Sequence, residues 1–192
     1  MSKLIGFMGK KQSGKDTCGD YLIENYNFIK YSFADPIKDI VKILFNFSDQ
    51  QLENQKYKES IDSRWNITPR ETLQKIGTEF GQDYIYKLFP NLETQNKVLW
   101  VVLFEIWYSK NKDKNIVITD VRFPHEVECI KKLGGNIIKV NRENNLENND
   151  SHISENLIEN VSNDKIYKTI DNNYTIYDLY SQIDTLINLL NL

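Results

Sequence analysis

Residues 3–26, KLIGFMGKKQSGKDTCGDYLIENY, constrain the fold more than any other part of the chain. An apolar run, KLIGFMG, leads into a loop holding Gly9 and Gly14, and Cys18, Leu22 and Ile23 then recur at helical spacing. A strand, a loop with glycines and a helix form the setting in which backbone N–H groups make an anion nest at a helix N-terminus. The loop nearly matches G-x-x-x-x-G-K-[ST]. Gly9, Gly14 and Lys15 fall in place, but Asp16 stands where a hydroxyl is usual, and Thr17 follows it. In such loops the lysine reaches the β- and γ-phosphates of a nucleotide and the hydroxyl serves Mg2+. A carboxylate is also a hard oxygen ligand, so Asp16 could hold the metal directly or through water. The plain alternative is a glycine turn ahead of an amphipathic helix; the strand–loop–helix context favours a phosphate site.

Beyond residue 26 the pattern keeps alternating. NFIKYSF (27–33) reads as a second strand. ADPIKDIVKILFNF reads as a helix capped by Asp35, with Pro36 at its first position. Residues 48–68 are polar and irregular. Thr68, Pro69 and Glu71 open another helix with a capping box. Residues 93–112 are expected to be a largely buried helix, although 98–104 alone would pass for a strand. NIVITD (115–120), NIIKV (136–140) and KIYKTID are the third, fourth and fifth strands. Between the third and fourth, PHEVECIKKLGG is a helix ended by Gly134 and Gly135, and 175–190 is a closing helix. Strands alternating with helices predict a parallel α/β sheet in a single domain spanning all 192 residues. The polar segments 48–68 and 141–156 belong at its carboxyl edge, where ligands bind in such folds.

Composition narrows the function. The formal net charge is −3 and no long basic block occurs, which disfavours a grip on polymeric nucleic acid. Cys18 and Cys129 are far apart and form neither a metal cluster nor a disulfide framework. VLWVVLFEIWY (98–108) is too short to span a membrane and contains Glu105. Of 24 basic residues only four are arginine, Arg64, Arg70, Arg122 and Arg142. Lysine replaces arginine wherever a point charge suffices, but not where a planar fork must grip two phosphate oxygens. All four arginines lie in or beside the polar insertions or directly after the third strand. NIVITDVR adds Asp120 at the end of an apolar strand, where a Mg2+-orienting aspartate is found in phosphate-loop enzymes, with Arg122 two residues on. His125 follows Pro124 in the first turn of a helix and is expected at the surface; His152 sits in HISE. No Ser–His–Asp set is visible.

GFMGKKQSGKDT, YSFADPIKDIV, TPRETLQKIGTEFGQDYI, VITDVRFPHEVECIKKLGGNIIKVNR and HISE occur here in the order found in the deoxynucleoside monophosphate kinases of bacteriophages and large DNA viruses. The chain resembles that family over nearly its whole length, and the loop ending Gly-Lys-Asp resembles it too. The resemblance implies a P-loop kinase fold: a central five-stranded parallel sheet flanked by helices, with an acceptor-binding lobe (about 48–90) and a lid (about 141–156). It implies Mg2+-dependent transfer of the ATP γ-phosphoryl group to a deoxynucleoside 5′-monophosphate, giving the diphosphate for DNA precursor synthesis. Gly9, Lys11, Ser13, Gly14, Lys15, Asp16 and Thr17 would bind ATP, with Asp16, Thr17 and Asp120 serving the metal. Lys15, Asp120, Arg122 and Arg142 would act in transfer, and Lys38, Trp65, Arg70, Gln74 and Phe80 would hold the acceptor. Two departures stand out. Phe80, Gly81 and Gln82 replace a common Trp then Gly-Arg, and Glu143 replaces a proline common after the lid arginine. Small nucleotides are the expected partners, with no membrane, a homodimer left open and the host cytoplasm the setting. Another small-molecule kinase, of the phosphomevalonate type, and a catalytically silent nucleotide-binding subunit are the competing readings.

Overall fold

The computed structural model describes residues 3–92, 94, 97–143 and 161–191. They divide into two compact units, Met1–Ser32 with Trp107–Leu192, and Phe33–Ile106. The second unit encloses the 48–90 insertion and extends beyond it on both sides.

The first unit is a parallel sheet of five strands: β1 (Leu4–Met8), β2 (Phe28–Tyr31), β3 (Asn115–Val121), β4 (Asn136–Asn141) and β5 (Ile166–Asp171). They lie in the order β2-β3-β1-β4-β5, so β1 is central, with Gly6 opposite Ile118 on one side and Ile137 on the other. Every residue of β1 is buried, as befits a strand covered on both faces. Period-two alternation sends Ile5 and Phe7 to one face. There they join Ile138, Val140 and Ile170 against Cys18 and Leu22 of α1 (Lys15–Tyr26) and against the apolar stripe of the C-terminal helix Ile176–Leu189. Gly6 looks the other way, toward the helix Pro124–Lys132, where a Cβ would stand 2.8 Å from Ile130. β2 is shorter than the sequence suggests: its ladder ends at Tyr31 opposite Ile118, and the Ser32 hydroxyl turns to a side chain instead.

In the second unit, α2 (Asp35–Phe45) starts one residue before expectation. Ala34 is the N-cap, and Asp35 lies inside the first turn, where a carboxylate favours the helix dipole. The irregular 48–68 segment contains two short helices, α3 (Asp49–Glu53) and α4 (Gln55–Lys58). Ser48 and Gln51 cap the first reciprocally, and Asn54 caps the second. These caps were readable as S-x-x-Q and as a lone Asn, but neither helix has the length to show periodicity. Thr68 caps the next helix by accepting from Glu71 N at 3.1 Å. That helix, α5 (Pro69–Gln74), widens into π-geometry over Lys75–Tyr84 and returns to α-geometry as α6 (Ile85–Leu88). Trp100 of α7 (Leu99–Ser109) lies on the widened segment. Its Nε1 donates to Gly77 O at 2.6 Å, and a Cβ on Gly81 would stand 2.2 Å from the indole. Residues 98–104 are therefore not a strand. Val41, Phe47 and Leu52 form this unit's core, with Ile37, Leu73 and Ile76 against them. We number the remaining helices α8 (Pro124–Lys132) and α9 (Ile176–Leu189). Among the described residues no helix is long and apolar enough to cross a membrane.

Candidate nucleotide site

The loop between β1 and α1 needs both glycines. Gly14 has φ 104°, and a Cβ there would sit 2.3 Å from Asn172 Nδ2. Only glycine adopts that backbone without penalty. A Cβ on Gly9 would stand 2.3 Å from the backbone oxygen of Val140. Asn172, just beyond β5, donates to Ser13 O at 2.9 Å, fastening the loop from its far side. Lys15 Nζ donates to Gly9 O at 2.8 Å and Lys10 O at 2.7 Å, with the buried Ser13 hydroxyl 3.4 Å away. Lys11 is half-buried in the same loop.

Asp16 is not idle. Its Oδ1 accepts from Thr119 Oγ1 at 2.6 Å and from Lys30 Nζ at 3.1 Å. Burial works against its charged form, but these two hydrogen bonds and the fields of Lys30 and Lys15 prevail. They hold the carboxyl below the usual aspartate range. Thr119 is buried beneath α1 and immediately precedes Asp120, so one bond spanning 103 residues ties the phosphate loop to the end of β3. Asp120 Oδ2 in turn accepts from Ser32 Oγ at 2.8 Å. Cys18 lies behind the loop, its thiol pushed up to about 12 by burial, and is no nucleophile.

After Asp120 the chain is pinned. Glu126 is 4% exposed, and its Oε2 accepts from Arg122 N at 2.6 Å and Phe123 N at 2.9 Å. Pro124 sets the next φ. The Arg122 side chain is thus presented to solvent from a fixed backbone. Burial pushes the Glu126 carboxyl up to about 8, with Asp120 adding to the rise and the two N–H bonds opposing it. His125 is not the surface residue expected. Its ring stacks on Phe123 at 5.2 Å, its Nε2 is buried without a partner, and burial lowers its pKa to about 4.

A cleft of about 350 Å³ opens beside the loop, lined by Lys15, Asp16, Thr17, Arg142, Tyr174 and Ile176 among others. A second, of about 360 Å³, lies between Gly9, Lys10, Lys139, Asn141 and Asp171, and Arg142 borders both. The loop residues, Asp120 and Arg142 are therefore gathered at the carboxyl ends of β1, β3 and β4. Sequence reading missed Lys30, Ser32, Thr119, Glu126, Asn172, Tyr174 and Ile176. For Ser32 and Asn172 the usable signal was position, since residues just past a strand of a parallel sheet border its ligand crevice. The expected lid lies outside the described residues apart from Asn141, Arg142 and Glu143, and so does His152.

In the second unit, three of the expected acceptor residues, Arg70, Lys38 and Trp65, have protein partners. Arg70 Nη2 lies 3.1 Å from both Glu59 Oε1 and Gln55 Oε1, while its Nε is buried without a partner. Lys38 pairs with Glu53 at 2.7 Å and with Asp35 at 3.5 Å. Trp65 is 45% exposed, stands edge-on to Phe45 and donates its Nε1 to Phe45 O at 2.7 Å. Gln74 and Phe80 are half-buried. Arg64 corrects the idea that arginine survives here only for phosphate. Its Nε and Nη2 grip the two oxygens of Asp62 at 2.9 and 2.7 Å, and its Nη1 reaches Asn46 O at 3.2 Å. A planar fork is needed, but for a carboxylate of the protein.

The donor set suits Mg2+. Among the described residues no cluster of three or more His, Cys, Asp or Glu could cage an ion. Asp16, Thr17 and Asp120 offer a partial set of hard oxygens, and Asp16 already binds a cation, the Lys30 ammonium. Mg2+ keeps several waters and takes further ligands from substrate phosphates, so a partial set is what it uses.

Known proteins resemble this chain over nearly its whole length. A family described as deoxynucleotide monophosphate kinase matches residues 3–66 and 47–183. A protein of Acanthamoeba polyphaga mimivirus assigned as a deoxynucleotide monophosphate kinase is 42% identical over 186 residues, covering 94% of this chain and 93% of its own. The deoxynucleotide monophosphate kinase of Enterobacteria phage T4 is 25% identical, covering 98% of this chain and 100% of its own. Among solved structures, dephospho-CoA kinase from Campylobacter jejuni shares the fold with a TM-score of 0.52 at 16% identity, covering 99% of this chain and 98% of its own.

Proposed function

The chain belongs to the deoxynucleotide monophosphate kinase family, and on that premise we propose how its residues move the γ-phosphoryl group of ATP to a deoxynucleoside 5′-monophosphate. An acceptor phosphate oxygen forms a bond to the γ-phosphorus. The bond from that phosphorus to the β–γ bridging oxygen breaks, leaving ADP and the deoxynucleoside diphosphate. No base is required, because a phosphate monoester has a second pKa of about 6 and its oxygen is already ionised near neutrality. Catalysis then consists of holding two polyanions in line and offsetting the charge between them.

The loop N–H groups and Lys15 take the ATP phosphates, the lysine exchanging its backbone carbonyl partners for phosphate oxygens. Tyr174 and Ile176 border the cleft where the donor base lies, and Arg142 reaches the phosphates from its rim. Arg122, held by Glu126, faces the group in transfer. Arg70 receives the acceptor phosphate by exchanging its Glu59 and Gln55 partners for phosphate oxygens, with Gln74 one helical turn on, Lys38 as a second cation, and Trp65 and Phe80 as stacking surfaces for the base. Mg2+, held by Asp16, Thr17 and Asp120, would screen the charge of the β- and γ-phosphates. The viral relatives suggest a role in DNA precursor supply in the host cytoplasm.

The observation that carries this reading is the Thr119–Asp16 hydrogen bond, which ties the phosphate loop to the end of β3 and so supports reading the loop and the Asp120–Arg122 segment together. Neither a phosphomevalonate-type kinase nor a silent subunit is favoured by the family match. The test is incubation with ATP and Mg2+ and a panel of monophosphates, comprising the four common deoxynucleotides, their modified pyrimidine forms and phosphomevalonate. The expected result is a diphosphate from at least one deoxynucleotide. Failure with all of them would refute the assignment.

A further inference from the structure

We propose that Lys30 is a resident cation at Asp16, standing in for the divalent metal before nucleotide arrives and competing with it for the same carboxylate. The inference rests on the reading of Asp16 as a metal-facing residue. It goes beyond it by assigning a role to a lysine on a different element and by making metal affinity depend on that lysine.

The chemistry of the loop motivates it. A serine or threonine after the loop lysine is neutral. Asp16 instead puts a full negative charge beside the place where a triphosphate must bind, and an uncompensated carboxylate there would repel it. Lys30 supplies the compensation from β2, where it sits opposite Val117 in the ladder with β3. Its Nζ lies 3.1 Å from Asp16 Oδ1, while Thr119 Oγ1 holds the same oxygen at 2.6 Å from below. The side chains differ in freedom. Thr119 is 3% exposed and locked, whereas the Lys30 side chain is 37% exposed on a flexible four-carbon stem. A divalent ion arriving at Asp16 meets an ammonium already on that carboxylate, and like charges at such range exclude each other. Lys30 therefore swings off as the ion binds. Its stem leaves the ammonium within reach of the phosphates on the neighbouring loop, so the positive charge is redirected rather than lost.

Two consequences are measurable without turnover. First, removing Lys30 leaves Asp16 bare, so metal-free ATP should bind less well. Second, the ion no longer has a competitor, so less of it should be needed. Wild type, Lys30→Met, Lys30→Arg, Asp16→Asn and the Lys30→Met/Asp16→Asn double variant would be titrated with ATP by calorimetry in EDTA and in saturating Mg2+. The Mg2+ concentration for half-maximal enhancement of ATP binding would be read at fixed ATP. Thermal melting would check that each variant folds, and methionine preserves the stem. We expect Lys30→Met to weaken ATP binding in EDTA about tenfold, the size of one partly exposed charge-assisted contact. In saturating Mg2+ the loss should be under about threefold, and the half-maximal Mg2+ concentration should fall. Lys30→Arg should stay near wild type. In the Asp16→Asn background, Lys30→Met should change the two affinities equally. Equal loss in EDTA and in Mg2+ in the Asp16 background, or an unmoved Mg2+ midpoint, would overturn the proposal and make Lys30 a simple phosphate contact. If Asp16→Asn itself left the Mg2+ dependence intact, the metal role of Asp16 would fall, and the proposal with it.

Discussion

Replacing Gly19 by alanine tests whether the phosphate loop and the end of β3 form one mechanical unit. In an isolated helix the change would stabilise by about 0.8–1.0 kcal/mol. Here it should do the opposite. Gly19 is buried in α1, and a Cβ on it would stand 2.3 Å from Thr119 Cγ2. That separation is far inside carbon–carbon contact, so either α1 lifts from β3 or Thr119 leaves its rotamer. Overpacking of this kind costs about 1–3 kcal/mol. After the helix gain, a net loss of up to about 2 kcal/mol remains, equivalent to as much as roughly 8 °C in Tm for a chain of this size. Thr119 also positions Asp16, so the strained variant should bind MgATP more weakly than its lost stability alone explains. Thr119→Ser provides the control, because it removes the methyl that clashes and keeps the hydroxyl. Alone it should cost about 0.8 kcal/mol, one buried methyl-sized group. Combined with Gly19→Ala it should restore stability, with a coupling on the order of 1–2 kcal/mol. Calorimetric melting and ATP titration on the four proteins decide it. A stabilised Gly19→Ala, or strictly additive single changes, would refute the steric argument.

Further expectations concern the arginines and one histidine. Arg70→Lys should raise the acceptor KM roughly tenfold to a hundredfold in steady-state kinetics, with kcat little changed, because the lost contact is a charge-assisted one worth on the order of 1.5–3 kcal/mol. Arg122→Lys should instead lower kcat by a similar factor and leave KM near wild type, since its charge is needed while the phosphoryl group moves. Arg64→Lys should lower the melting temperature without changing either parameter, because its fork grips Asp62 and Asn46 O. A KM increase would return it to the substrate site. Burial lowers the His125 pKa from 6.5 to about 4, so the unfolded chain takes a proton that the folded one refuses in that window. Its contribution to stability is present above pH 6.5 and is lost as pH falls toward 4. The slope of Tm against pH over that range should flatten in His125→Phe.

The sheet was legible because parallel strands buried on both faces must be short apolar runs, and IGFM, IVIT and IIKV are such runs. The phosphate loop was legible because its backbone conformation demands glycine at 9 and 14. Harder to read were the features that depend on who meets whom. Nothing local marks Lys30 or Thr119 as neighbours of Asp16, since pairing of β2 with β3 brings them there. Arg64 shows the converse error. Scarcity of arginine correctly signalled a need for a two-pronged donor but could not say whose oxygens it would grip. The π-geometry at 75–84 escaped because the side chain packed on it, the Trp100 indole against Gly77 and Gly81, lies well downstream in the sequence.

The central place of β1 has a consequence for how the chain is made. Its first strand pairs with β3 and β4, and Lys3 N is held by Asn115 Oδ1 across 112 residues. At a synthesis rate of about 5–20 residues per second, roughly 6–22 s pass between emergence of the loop and arrival of the strand that supports it. Throughout that interval KLIGFM is an apolar segment with both edges open, a template for wrong pairing. The unit Phe33–Ile106 is meanwhile complete and holds its own core of Val41, Phe47 and Leu52. During translation, then, the unit Phe33–Ile106 is whole before the sheet of the first unit can be completed. β1 is translated well before either of its partner strands and stays exposed until they arrive, which makes the nascent chain a target for chaperones and proteases.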